Sequence, residues 1–86
     1  MKIDHVRIEP HILEKVEKKH GISAAEIVSV LHYDAPIFKK VGGRQLVAIG
    51  CAARFVTIFF TLRKRKAQIT TAYPSDKKQI KHYKRK

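Results

Sequence analysis

The hydrophobic pattern changes period at Pro36, and that change constrains the fold more than any other feature of the chain. In "EPHILEKVEKKHG", Pro10 suits a first helical turn, Ile12, Leu13 and Val16 form a stripe, and Gly21 can take the left-handed conformation that stops a helix. A first helix is expected there. In "ISAAEI", Ser23 is an N-cap with Glu26 three residues on, the pattern of a capping box, and Ile22 and Ile27 occupy the positions of a hydrophobic staple. A second helix follows, with Ile27, Val28, Val30 and Leu31 on its buried face, and "YDAPI" ends it because a residue before proline avoids the helical region.

From Pro36 onward the apolar residues alternate. "PIFKKV" and "RQLVAIG" flank Gly42-Gly43, a dipeptide suited to a tight hairpin turn, and "RFVTIFFTL" and "KAQITTAY" flank the basic loop at 63–66. An antiparallel sheet of about four strands is predicted. Along "RFVTIFFTL", Val56, Ile58, Phe60 and Leu62 make the better core face, and Phe55, Thr57, Phe59 and Thr61 make a mixed one. After Pro74, Ser75 or Asp76 can cap a short last helix whose Ile80 and Tyr83 face inward, with residues 84–86 prone to fray. The predicted class is α+β, in one domain over residues 1–86, since 86 residues support one modest core.

Charge divides the chain at the same place. Residues 1–34 carry five Lys/Arg against six Asp/Glu, whereas residues 35–86 carry fourteen against Asp76 alone, so the second part holds all of the net +12. Self-repulsion of that size opposes compaction unless an anionic partner offsets it. A lone cysteine, Cys51, excludes a disulfide within the chain and suits a reducing cytoplasm, where it reads as a small packing residue. "MKIDHVRIEP" lacks the apolar core of a signal peptide, and no apolar run approaches the roughly 18 residues of a membrane span, so a soluble cytoplasmic protein without a membrane partner is expected.

Several site types are missing from the sequence. It has no glycine-rich phosphate loop with its lysine, no CxxC and no HExxH, and its five histidines show no helical ligand pairing, so neither a metal nor another cofactor is expected. What remains is a cationic sheet and helix. Arg44, Arg54, Arg63 and Arg65 lie on strands and turns, Lys77, Lys78, Lys81, Lys84 and Arg85 in the last helix, interleaved with Tyr73, His82 and Tyr83. Such a set can bind phosphates, stack a base and, on RNA, promote attack of a 2′-hydroxyl on the adjacent phosphorus. That reaction needs a group to take a proton, a group to give one, and cations to offset charge on the phosphorane. His82 is the natural proton carrier, because histidine ordinarily titrates near neutrality. A non-catalytic nucleic-acid-binding module, or a protein that binds an acidic polypeptide, fits the same composition.

The order of elements and the residues "KKHGISAAEI" resemble the BrnT family of toxins from bacterial type II toxin–antitoxin systems, whose fold is RelE-like. Arg44, Ile49-Gly50, "RFVTIFFT" and a basic terminal helix ending near Tyr83 extend the resemblance over roughly residues 6 to 85. The chain departs from the family's pattern at Thr71-Ala72-Tyr73, where a Ser-Ala-Arg-like triplet is usual, and at Gln79-Ile80, where Glu-Arg is usual; His82 stands at an often basic position. The resemblance implies a RelE-like domain with two helices on one face of the sheet and a basic helix at its edge. It also implies an RNA-cleaving toxin neutralised by a cognate antitoxin. In that reading His82 moves protons, Tyr73 stacks on or orients the RNA, and Arg44, Arg63 and Lys78 offset phosphate charge. Arg54, Arg65, Lys77, Lys81, Lys84 and Arg85 complete the RNA grip.

Overall fold

The computed structural model describes residues 3–34 and 36–85. A short strand β1 (His5–Arg7) leads into helices α1 (Pro10–His20) and α2 (Ala24–His32). Strands β2 (Ile37–Gly42), β3 (Gln45–Cys51), β4 (Phe55–Arg63) and β5 (Lys66–Pro74) follow, and helix α3 (Lys77–Lys84) closes the chain. The sheet order is β1-β5-β4-β3-β2. The class is α+β, as the change of period at Pro36 requires.

The helix boundaries follow from local chemistry. Gly21 takes φ 64°, and its N–H bonds the Glu17 carbonyl at 2.9 Å, which ends α1. Two residues later the Ser23 Oγ accepts the Glu26 N–H at 3.2 Å and starts α2. The staple residues Ile22 and Ile27 are both fully buried. Glu26 does not complete the expected capping box. Its carboxylate instead pairs with Arg54, Nε to Oε2 3.1 Å, and ties the start of α2 to the β3–β4 loop. The reciprocal box forms at α3, where Asp76 caps the Gln79 N–H at 2.8 Å and the Gln79 side chain accepts the Asp76 N–H at 2.9 Å. The expected stop of α2 at "YDAPI" includes Ala35, and the expected frayed end includes Lys86; both lie outside the described residues.

Two further expectations are corrected. The sheet has five strands rather than about four and is mixed, because β1 pairs in parallel with β5 through His5↔Lys66, Val6↔Ala67 and Arg7↔Gln68. Three residues are too few for a period of two to stand out. Helix α3 lies over the second face of the sheet, not at its edge: the buried Thr57 bonds Gln79, and Tyr83 packs on Phe55 with ring centroids 5.3 Å apart.

The first face of the sheet forms the core. Val56, Ile58 and Phe60 are fully buried, and Leu62 packs against them half-exposed. Val16, Ile22, Ile27, Val30 and Leu31 of the α1–α2 unit cover this face. Each such side chain contributes on the order of 1.5–3 kcal/mol by leaving water, so the two helices are held by one face and the other is left for α3 and solvent.

Candidate nucleic-acid interface

The pleat assigns the second face. Val47 and Ile49 of β3 stand beside Phe59 of β4, and Lys39 of β2 is registered on Val47. Lys78 and His82, four residues apart, project from one side of α3. Together Lys39, Val41, Val47, Ile49, Phe59, Lys78, Gln79 and His82 line a groove of about 330 Å³. Its floor is apolar and its rim cationic, a combination that suits a nucleotide: the base finds an apolar bed and the phosphate finds charge.

Tyr73 flanks this groove. Its ring packs on Phe59, centroids 5.9 Å apart and tilted 30°, and its hydroxyl accepts a hydrogen bond from Gln79 Nε2 at 3.0 Å. The geometry of Gln79 is determined by its neighbours. Its Oε1 accepts both the Asp76 N–H and the Thr57 hydroxyl, at 2.9 and 3.0 Å, so the amide nitrogen has to face Tyr73. Since the Thr57 proton goes to Gln79, Ser75 is the donor in the 2.7 Å contact between the two hydroxyls. With a donor already on its oxygen, Tyr73 keeps its own proton for an outside acceptor. The His20 ring from the end of α1 lies 6.1 Å from the Tyr73 ring.

Helix α3 is secured at its far end by Asp34. The Tyr83 hydroxyl donates to that carboxylate, 3.2 Å from each oxygen, and the Cys51 N–H donates to Oδ2 at 2.8 Å. Gly50 permits the approach: a Cβ there would stand 2.7 Å from both Asp34 Oδ2 and Val30 Cγ1. Asp34 therefore couples the end of α2, strand β3 and the helix that carries His82.

Arg44 and Arg63 do not join His82. They line a second, broader depression of about 1050 Å³ on the same face, with His5, Arg7, Lys64 and Lys66. Phe59 and Arg63 are four residues apart on β4, about 13 Å along the strand. Of the remaining expected RNA contacts, Arg54 is engaged by Glu26 and by the Gly21 carbonyl, 2.5 Å from Nη2, and so braces the helical layer. Arg65 pairs with Asp4 at 3.1 Å. The Lys84 ammonium sits 5.9 Å from the centre of the Phe55 ring, while Lys77, Lys81 and Arg85 are exposed on α3 or at its C-cap.

His20 and Lys39 join the site without a sequence signal that singles them out as functional, whereas Gln79 was marked in the sequence only as a departure from the family pattern. The period of two in β2 does place Lys39 and Val41 on one side, which is the signal that was available. Among the described residues no group of histidine, cysteine and carboxylate side chains could hold a metal ion, and no helix is long and apolar enough to cross a membrane. Compared with models of known protein families the chain matches none, and no curated protein matches it significantly.

Proposed function

We propose that the chain is a metal-independent endoribonuclease toxin with a RelE-like fold, similar to the BrnT family, and neutralised in its own cell by a cognate antitoxin. One observation carries this reading: Lys78 and His82 of α3 face Lys39 across an apolar floor, beside a tyrosine whose hydroxyl oxygen already holds a donor. A base stacks on Phe59 or Tyr73, a contribution of about 1–3 kcal/mol. His82 takes the proton of the 2′-hydroxyl, whose oxygen then bonds to phosphorus. Lysines on either side offset the charge on the phosphorane. Tyr73, or His82 once protonated, gives a proton to the 5′-oxygen as the P–O5′ bond breaks, leaving a 2′,3′-cyclic phosphate and a 5′-hydroxyl.

The test is single-turnover cleavage of RNA in EDTA by wild-type protein and by His82→Ala. The expected outcome is cleavage that persists in EDTA and slows roughly 10²-fold or more in the variant, with RNA binding nearly intact. Equal rates would remove His82 from the chemistry. Tight binding with no cleavage by wild type would leave a nucleic-acid-binding module.

A further inference from the structure

We infer that the second depression, at the far end of the same face, is a phosphate subsite that holds the RNA strand running on from the His82 groove. This inference rests on the RNA reading above. Arg44, Arg63, Lys64 and Lys66 gather around that hollow, with Arg7 and His5 at its β1 side. Its lining carboxylate, Glu9, is already engaged by Arg7 at 3.0 Å and by Gln68 at 3.3 Å. Among the described residues no ion pair engages Arg44, Arg63, Lys64 or Lys66. Four cations thus share one concave surface without a counter-charge, an arrangement that a polyanion relieves.

The backbone beneath them points the same way. Lys64 and Arg65 turn the β4–β5 hairpin with φ 50° and 63°, a conformation that residues with a Cβ rarely adopt and that hairpins ordinarily give to Asn-Gly. Strand β1 holds the turn in place: the N–H groups of Asp4 and His5 donate to the Arg65 carbonyl at 2.7 and 3.3 Å, and the Asp4 carboxylate takes the Arg65 guanidinium. Arg65 is thereby drawn off toward Asp4, while Lys64 lines the hollow. The same short strand brings His5 and Arg7 to the second face, because their partners Lys66 and Gln68 are there.

The two hollows are neighbours on one face. Phe59 lines the first and Thr61 the second, two residues or about 7 Å along β4, and Gln45 bonds Thr70 at 3.2 Å beside them. The described residues that line the second hollow include arginines suited to bidentate phosphate contact and, apart from His5, no aromatic ring to stack a base. It therefore grips backbone and is indifferent to sequence, whereas the His82 groove receives the base.

The experiment measures binding of a fully 2′-O-methylated single strand of roughly twelve nucleotides, which cannot be cleaved, across a salt series. Arg63→Gln with Lys66→Gln is compared with Lys15→Gln with Lys19→Gln, which removes the same charge from exposed positions on α1. The first pair should weaken binding about tenfold at low salt and make the log–log salt slope shallower by about 1.4, at about 0.7 per lost contact. The α1 pair should leave the slope unaltered. Equal losses from both pairs, or none from the first, overturn the subsite while leaving the RNA reading in place. Loss of binding to polyglutamate with RNA binding retained assigns the hollow to an acidic protein and also overturns it. A wild-type protein that binds no RNA refutes the RNA reading itself, and this inference with it.

Discussion

Replacing Gly50 with Ala tests whether Asp34 links the core to the helix that carries His82. Gly50 lies on the core face of β3, opposite the fully buried Val56. A Cβ would stand 2.7 Å from Asp34 Oδ2, 2.7 Å from Val30 Cγ1 and 3.0 Å from Pro36 Cβ, so at least two neighbours must move. Val30 is fully buried and Asp34 is held by the Cys51 N–H at 2.8 Å, which leaves little room to yield. Overpacking of this kind costs about 1–3 kcal/mol, and losing the backbone bond to the carboxylate adds roughly 1.5 kcal/mol. Alanine recovers about 0.5–1 kcal/mol relative to glycine in a strand. The net is a loss of about 3 kcal/mol, which urea denaturation reads as a fall in midpoint of about 2 M for a urea m-value near 1.5 kcal/mol/M. In an Asp34→Ala background one clash and its bonds are already gone, so the same substitution should cost clearly less. A loss below about 1 kcal/mol, or equal losses in both backgrounds, would refute the argument that Asp34 is wedged against Gly50.

The other predictions concern single contacts. Ser23→Ala should cost about 1 kcal/mol in a thermal melt, since it removes the acceptor for the Glu26 N–H. Lys64→Asn with Arg65→Gly should raise stability by about 1 kcal/mol, because it fits the left-handed turn without strain, and should weaken RNA binding. Gln79→Leu should cost about 2 kcal/mol by leaving the Asp76 N–H and the buried Thr57 hydroxyl without their acceptor. Gln79→Glu keeps that acceptor and should fold nearly as well, yet slow RNA cleavage, because a carboxylate cannot donate to Tyr73.

The parts of the fold legible in the sequence are those set by local chemistry. Pro10, Gly21 and Ser23 mark helix ends by what their own backbones can do, and the alternation in "RFVTIFFTL" sorts β4 into two faces without reference to any partner. Strand β1 was not legible, because its three residues become a strand only through pairing with β5, sixty-one positions away at His5↔Lys66. Glu26 shows the same limit from the other side. Its spacing from Ser23 promises a capping box, and Arg54, twenty-eight positions along the chain, takes its carboxylate instead. A tertiary ion pair outcompeted a local hydrogen bond that the sequence alone favours.

The site divides along the same line. The side-chain types were legible, since lysines, His82 and Tyr83 cluster after Pro74, but their arrangement depends on which face receives α3. That choice is made by buried polar groups. Thr57 lies on the second face of β4 and is fully buried, so its hydroxyl needs a partner, and Ser75 and Gln79 supply it only when α3 crosses that face. Tyr83 then reaches Asp34 at the sheet's end, and the helix is fixed at both of its ends. With Gln79 and Tyr83 turned inward, Lys78 and His82 are left on the side that meets β2 and β3, opposite Lys39. Gln79 stands where the resemblance proposed for the sequence would place a glutamate. Here the amide has a use that a carboxylate lacks: one end completes the helix cap and satisfies Thr57, while the other donates to Tyr73. The side chain that orients the helix thus also sets which way the tyrosine's proton points, so the fold and the proposed chemistry share a single hydrogen-bonded network.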